Sequence, residues 1–159
     1  MSKLEEIYSS LTSILNELLQ FDNEILGSML VNTSGQLIAY SVRHDMTEPD
    51  DPFYFEALGA TISAVFGAVM GAGTDFNLGN SNIVLAEFSK GRIVITNCDL
   101  NTILAIITTP NAALGSIRLL AKKYTEKLKD ILNELYLEIE KALKEISPSE
   151  LSSVSEINT

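Results

Sequence analysis

Residues 56–73 read EALGATISAVFGAVMGAG, and after Glu56 no charged residue follows until Asp75. At about 100° per residue, the larger apolar side chains fall on one face of a helix, and small residues recur every four positions elsewhere. The larger set is Leu58, Ile62, Val65, Phe66 and Val69, and the small set is Gly59, Ser63, Gly67 and Gly71. A helix without a polar face must be buried all round. We therefore expect the large face to lie on a sheet and the small face to pack against a second chain.

A membrane span is the alternative for this stretch, because its length is at the threshold of about 18 residues. However, two-thirds of residues 57–74 are Gly, Ala, Ser or Thr. No basic cluster or aromatic belt flanks the stretch either, so we predict that it does not cross a membrane.

Composition limits the class of protein further. The 159-residue chain has a net charge of −10, which argues against nucleic acid as a partner because phosphates require a basic surface. Seven of the eleven basic residues lie within residues 118–144, alternating with acids, a pattern that favours a protein partner. A single cysteine, Cys98, and a charged, amphipathic N-terminus lead us to expect a cytoplasmic protein.

The remaining patterns predict the other elements. Ser2 and Glu5 form a capping box that begins a first helix. Apolar runs at residues 25–31 and 37–42 flank a turn-forming cluster and predict a β-hairpin, whereas Gly71 and Gly73 should end the central helix. Three further strand-like runs, at residues 83–88, 92–97 and 102–108, are joined so closely that neighbours must be antiparallel.

A long last helix follows, with Thr109-Pro110 as its predicted N-cap and first position and Ser147-Pro148 as its stop. Its apolar stripe comprises Ile117, Leu120, Tyr124, Leu128, Ile131, Leu135, Ile139, Leu143 and Ile146. The predicted fold class is α+β in the order α-β-β-α-β-β-β-α, with a five-stranded antiparallel sheet and helices on its faces.

No residue pattern predicts a catalytic site. The only histidine, His44, lies in a polar loop, and no serine elbow of the form G-x-S-x-G is present. The glycines lack the following lysine of a phosphate-binding loop. We therefore predict no catalytic residue, no bound metal and no cofactor, and we interpret Cys98 as a packed thiol.

Two alternatives stay open. The acidic run of Asp45, Glu48, Asp50 and Asp51 could attract a divalent cation, although its spacing does not fit a calcium loop. One of the three arginines, Arg43, Arg92 and Arg118, could serve as an arginine finger for a GTPase, or each could form an ordinary ion pair.

Three segments together resemble the roadblock family, the dynein-light-chain type domain. They are ILGSMLVNTSGQLIAYS (25–41), the small-residue helix followed by IVLAEFSKGRIVIT (83–96), and TILAIITTPNAALGSIRLLAKK (102–123). The likeness covers roughly residues 3–125. We accordingly predict a roadblock-like domain at 1–125, a helical extension at 126–146 and a disordered tail at 147–159.

The resemblance implies a homodimer, or a heterodimer with a roadblock paralogue. The central helices would pack side by side and the third strands would pair to make one continuous sheet. The interface residues implied are Gly59, Ser63, Gly67, Met70, Gly71, Ile83, Leu85 and Glu87. Family members bind small Ras-like GTPases, act as scaffolds or serve as dynein subunits, and the gliding-motility members stimulate a GTPase without donating an arginine.

Our leading hypothesis is a non-enzymatic dimeric module that binds, scaffolds or regulates a small Ras-like GTPase. The alternative is a structural scaffold or motor-complex subunit that acts through its extended C-terminal helix. That helix would bind its partner with Leu128, Ile131, Leu135, Ile139 and Leu143, unless the stripe packs back on its own domain. A small-ligand sensor is a third hypothesis, although no convergent polar pocket is visible in the sequence.

Overall fold

The computed structural model describes residues 2–43 and 53–146. The helices are α1 (Lys3–Gln20), α2 (Tyr54–Asp75) and α3 (Leu114–Glu145). The strands are β1 (Ile25–Asn32), β2 (Leu37–Val42), β3 (Val84–Phe88), β4 (Gly91–Asn97) and β5 (Thr102–Thr108). They form one five-stranded sheet in the order β2-β1-β5-β4-β3, with every neighbouring pair antiparallel. This confirms the predicted fold class and element order.

Several predicted features lie outside the described residues. They are the loop histidine, the acidic run considered as a cation site and the C-terminal tail, which comprise His44, Asp45, Glu48, Asp50, Asp51 and residues 147–159.

Local sequence explains the first three elements. The Ser2 hydroxyl oxygen accepts a hydrogen bond from the Glu5 backbone N–H at 3.2 Å, which caps α1 as predicted. The hairpin between β1 and β2 turns at Gly35, whose φ of +95° is costly for any residue with a Cβ. The Asn32 carboxamide oxygen accepts from the backbone N–H groups of Ser34 and Gln36, at 3.0 and 2.9 Å, and so holds the turn closed.

Two helix boundaries differ from the prediction. Helix α2 continues to Asp75, because Gly73 serves close packing and does not end the helix: an added Cβ would lie 2.3 Å from the Gly79 carbonyl oxygen. Helix α3 begins at Leu114, so the predicted N-cap at Thr109-Pro110 is wrong. The Thr109 hydroxyl instead accepts from the Asn111 backbone N–H at 3.2 Å and closes a turn before the helix.

The sheet separates two hydrophobic clusters. Helices α1 and α3 pack against each other on one face, whereas α2 packs mainly on β1 and β2 on the opposite face. The α1–α3 cluster continues along α3 well past Thr125, with Leu128, Leu132 and Leu135 almost fully buried. An ion pair between the Lys127 ammonium and the Glu17 carboxylate, 3.1 Å apart, links the two helices at the surface.

Candidate interaction surfaces

The small residues of α2 do not all lie on one face. Gly59 and Ser63 are buried against the sheet of their own chain, so the prediction that they lie on the outer face is wrong. An added Cβ at Gly59 would lie 3.5 Å from a methyl group of Val31, and the Ser63 hydroxyl donates to the Thr33 carbonyl oxygen at 2.9 Å. These small side chains bring the helix close to β1 and to the turn that follows it.

The second half of the small set faces outward. Apart from the helix's own backbone, no described heavy atom lies within 4 Å of the position that a Cβ would take at Gly67 or Gly71, and both glycines are exposed. Val65, which the sequence pattern assigns to the sheet-facing side, is 40% exposed. We call the exposed surface of Ala64, Val65, Gly67, Ala68 and Gly71 the outer face of α2. It is apolar and carries no charge.

Met70 lies between these two faces. Its side chain is half-buried at the margin of the α2-side cluster, and its sulfur accepts from the Ser81 backbone N–H at 3.4 Å. Met70 therefore ties the end of α2 to the loop before β3.

Strand β3 is an edge of the sheet. Among the described residues it pairs with β4 alone, so the backbone groups of its other edge have no strand partner. Of the predicted interface residues here, Ile83 packs on the α1–α3 side, and alternation places Leu85 and Glu87 on that same side. The Glu87 carboxylate lies 3.4 Å from the Arg92 guanidinium.

The other side of β3 was missed by sequence reasoning. Val84, Ala86 and Phe88 point to the face on which α2 lies, and Phe88 is 59% exposed. Beside them, Ile93 and Ile107 are only half-buried, because α2 covers mainly the β1–β2 half of this face. The alternation within IVLAEF was the available signal, but the order of strands in the sheet could not be deduced from it.

The C-terminal helix offers a second, smaller surface. Of the five predicted partner-binding residues, Leu128 and Leu135 are buried against α1 and Ile131 is partly buried, so these three are core residues. Their assignment to partner binding is wrong because α1 already covers them. Ile139 is 37% exposed and Leu143 is 55% exposed, and only these two of the five have substantial free surface.

Two of the three arginines are held by backbone carbonyls. The Arg43 guanidinium donates to the carbonyl oxygens of Ile25, Leu19 and Asp22. The Arg92 guanidinium donates to the Ala112 carbonyl oxygen at 2.7 Å. Arg118 is exposed on α3. The first two arginines are therefore engaged in contacts within the fold.

Cys98 is a packed thiol, as predicted. Its side chain is buried at the end of β4, and burial raises the pKa of the thiol to about 12, with a smaller contribution from the neighbouring Asp99 carboxylate. Because the thiolate is the nucleophilic form, this thiol is unreactive near neutral pH.

Within residues 2–43 and 53–146, α2 is the one helix long and apolar enough to cross a membrane, with a mean hydropathy of 1.5. Here it packs on the sheet through Phe55, Ile62 and Phe66. In the same described ranges, no three His, Cys, Asp or Glu side chains converge in a way that could hold a metal ion.

The Roadblock/LC7 domain family model matches residues 11–108 of the chain. An uncharacterised protein of Methanocaldococcus jannaschii, MJ1340, is 29% identical over 105 residues, which cover 66% of this chain and 85% of the relative. The structure of Myxococcus xanthus MglB superimposes with a TM-score of 0.69 at 19% identity, over 80% of this chain and 91% of that one. A structure described as MglB with tetrameric arrangement gives a TM-score of 0.72 at 16% identity, over 81% and 92% of the two chains. At these identities the structural likeness shows a common fold.

Proposed function

The chain belongs to the Roadblock/LC7 domain family, and from this premise we propose that it is a non-enzymatic, dimeric interaction module of the cytoplasm that binds, scaffolds or regulates a small Ras-like GTPase. The observation that carries the proposal is apolar surface that the described residues leave uncovered in two places. These are the outer face of α2 and the unpaired edge of β3, with the half-buried side chains beside that edge.

A second copy of the chain would cover both of these places. Pairing of two β3 edges would join the five strands of each copy into one ten-stranded sheet and would remove an exposed edge. Phe88 and the half-buried Val84 and Ile93 would then lie at the joint, beneath the helices of both copies. Gly67 and Gly71 would allow the two α2 backbones to approach closely, because neither carries a side chain.

The interface proposed from the structure differs from the one implied by sequence. It keeps Gly67, Met70 and Gly71 on α2 and the edge of β3, and it adds Val84, Ala86 and Phe88. Gly59 and Ser63 are already used inside the protomer and support the interface only by fixing the position of α2. A paralogue with the same family fold could replace the second copy.

Light scattering after gel filtration tests the dimer. We expect twice the chain mass of 17.4 kDa at micromolar concentration. A monomer at that concentration would remove the dimer from the proposal. Phe88→Glu provides a targeted variant, because it places a charge at the proposed joint and Phe88 is 59% exposed in the protomer.

The GTPase role has its own test. Purified Ras-like GTPases from the same genome would be assayed for binding in the GDP-bound and GTP-bound states, and for GTP turnover with and without this protein. We expect binding that depends on the nucleotide. Since Arg43 and Arg92 are held by backbone carbonyls, we propose that any stimulation arises by reshaping the GTPase and not by an arginine donated from these positions. Equal affinity for the two states, with unchanged turnover, would leave only a scaffold.

The alternative function is a scaffold or motor-complex subunit acting through the end of α3. One observation favours it: Leu137, Ile139 and Leu143 expose apolar surface beyond the last buried residue of that helix. The double substitution Ile139→Glu with Leu143→Glu tests it without disturbing the core. Loss of partner binding by an intact dimer would favour this role, and unchanged binding would exclude it.

A further inference from the structure

A second feature is a pocket of about 460 Å³ where α3 crosses the end of β4 and the segment that leads into β3, and Ile83 of the predicted interface is part of its apolar lining. Its polar lining consists of Asn82, Thr96, Asn97, Arg118, Lys122 and Thr125. The Thr96 hydroxyl donates to the Asn82 carbonyl oxygen at 2.9 Å and so fixes the two sheet segments relative to each other. The pocket therefore has a rigid floor and one helical wall.

The charges of this pocket are unbalanced. Arg118 and Lys122 are four residues apart on α3, and no carboxylate lines the pocket with them. The ion pairs of the described ranges engage Arg92, Lys127, Lys141 and Lys144, but neither of these two cations. Like charges at this spacing destabilise a helix. The pair is also conspicuous in a chain with 21 acidic and 11 basic residues.

The hydrogen-bonding groups point to the same kind of ligand. Arginine presents a planar fork of N–H donors that matches phosphate oxygens, and lysine adds a point charge. The carboxamides of Asn82 and Asn97 can supply further neutral donors. Two full positive charges match a phosphomonoester, which carries about −1.5 to −2 at neutral pH.

We infer that the pocket between α3 and the β3–β4 end of the sheet binds a phosphomonoester group, with Arg118 and Lys122 as its charged contacts. Its volume falls within the range of about 300–1,000 Å³ that is typical of small-ligand sites, so it has room for an organic group beside the phosphate. This inference does not depend on the proposed GTPase partner. A negatively charged protein repels polyanions at long range, and this favours a compact ligand over a nucleic acid.

Titration with inorganic phosphate, followed by amide NMR at constant ionic strength, tests the site. We expect saturable shifts at Asn82, Thr96, Asn97 and Thr125, with a dissociation constant at or below about 1 mM. Arg118→Gln should weaken binding at least about tenfold, because it removes a charge-assisted contact. Lys129→Gln is the control: Lys129 is also an exposed cation of α3, and the cleft that it lines shares only Asn97 with this pocket. It should change the affinity less than twofold, roughly.

The source of the phosphate is tested in a second arm. Phosphatidylcholine vesicles with and without phosphatidic acid would be sedimented with the wild-type protein and with Arg118→Gln. Retention that requires both phosphatidic acid and Arg118 assigns the group to a lipid, whereas binding of inorganic phosphate without retention assigns it to a soluble metabolite. Shifts that do not saturate, or an equal loss of affinity in the Lys129 control, would overturn the inference.

Discussion

Gly67→Leu should separate association from folding in this chain. Apart from the backbone of α2 itself, no heavy atom of residues 2–43 and 53–146 lies within 4 Å of the position that a Cβ would take at Gly67. Leucine also has a higher helix propensity than glycine, so the substitution should stabilise the isolated protomer by about 0.5–1 kcal/mol. Any loss of association therefore cannot be attributed to unfolding.

In the proposed dimer the same side chain meets the partner's helix. Overpacking a close-packed contact costs about 1–3 kcal/mol. A symmetric dimer contains the substitution twice, which gives about 2–6 kcal/mol and a dissociation constant raised at least roughly 30-fold. Gly67→Ala adds only one methyl group and should have a smaller effect in the same direction.

The assay is light scattering across a dilution series, combined with a thermal melt of each variant. Gly115→Leu is the matched control, because Gly115 is a helical glycine on α3 with equally open surroundings. That control should remain as dimeric as the wild type. If Gly67→Leu kept the wild-type dissociation constant, the outer face of α2 would not be the interface, and the proposed dimer would have to rest on another surface.

Three further outcomes follow from packing and ionisation. Leu135→Ala should lower the free energy of unfolding by about 2–5 kcal/mol in denaturant melts. Leu143→Ala, at the exposed end of α3, should change it by less than about 0.5 kcal/mol. Equal effects of the two substitutions would contradict the burial of Leu135. Gly73→Ala should cost about 1–3 kcal/mol, because its methyl group would meet a backbone carbonyl oxygen at 2.3 Å, while Gly71→Ala has open space within the protomer and should stabilise the separated protomer by up to about 1 kcal/mol. Burial raises the pKa of Cys98 from 9.0 to about 12, so the thiol's contribution to stability is complete below pH 9 and is lost as the pH rises from 9 towards 12. Stability measured across that window should fall less steeply in Cys98→Ser, and native Cys98 should be alkylated at pH 8 at least about tenfold more slowly than in denaturant.

The order and type of the elements could be predicted because local signals were strong and agreed with each other. The capping box at Ser2, the glycine at position 35 and the short joints between the last three strands each restrict the backbone locally. The start of α3 was predicted wrongly because it also rested on a local signal, and that signal fits two different structures. Thr109-Pro110 satisfies the rule for a helix start, but it also satisfies the rule for a turn, and sequence alone does not decide between them.

The assignment of the α2 faces failed for a geometric reason. Residues four apart on a helix advance by about 400°, so each step along Gly59, Ser63, Gly67 and Gly71 rotates by about 40°. Over the whole set the direction turns by about 120°. The first two positions therefore face the sheet and the last two face outward, as the surroundings of their Cβ positions show. A four-residue repeat sustained over three steps is a spiral across two surfaces and not a stripe on one.

Much of the predicted C-terminal extension belongs to the hydrophobic core, so only its last part can be tested for a separate function. The family match stops at residue 108, and the sequence resemblance extends to about residue 125. Both boundaries fall short of the end of the core, because Leu128, Leu132 and Leu135 are at most 2% exposed. A truncation near Thr125 would remove all three, at about 1.5–3 kcal/mol each, a loss comparable to the whole stability of a typical domain. Such a truncation would report unfolding, whatever the extension binds. A functional role for the extension can therefore be tested only beyond Tyr136, where the exposed leucines and isoleucine begin.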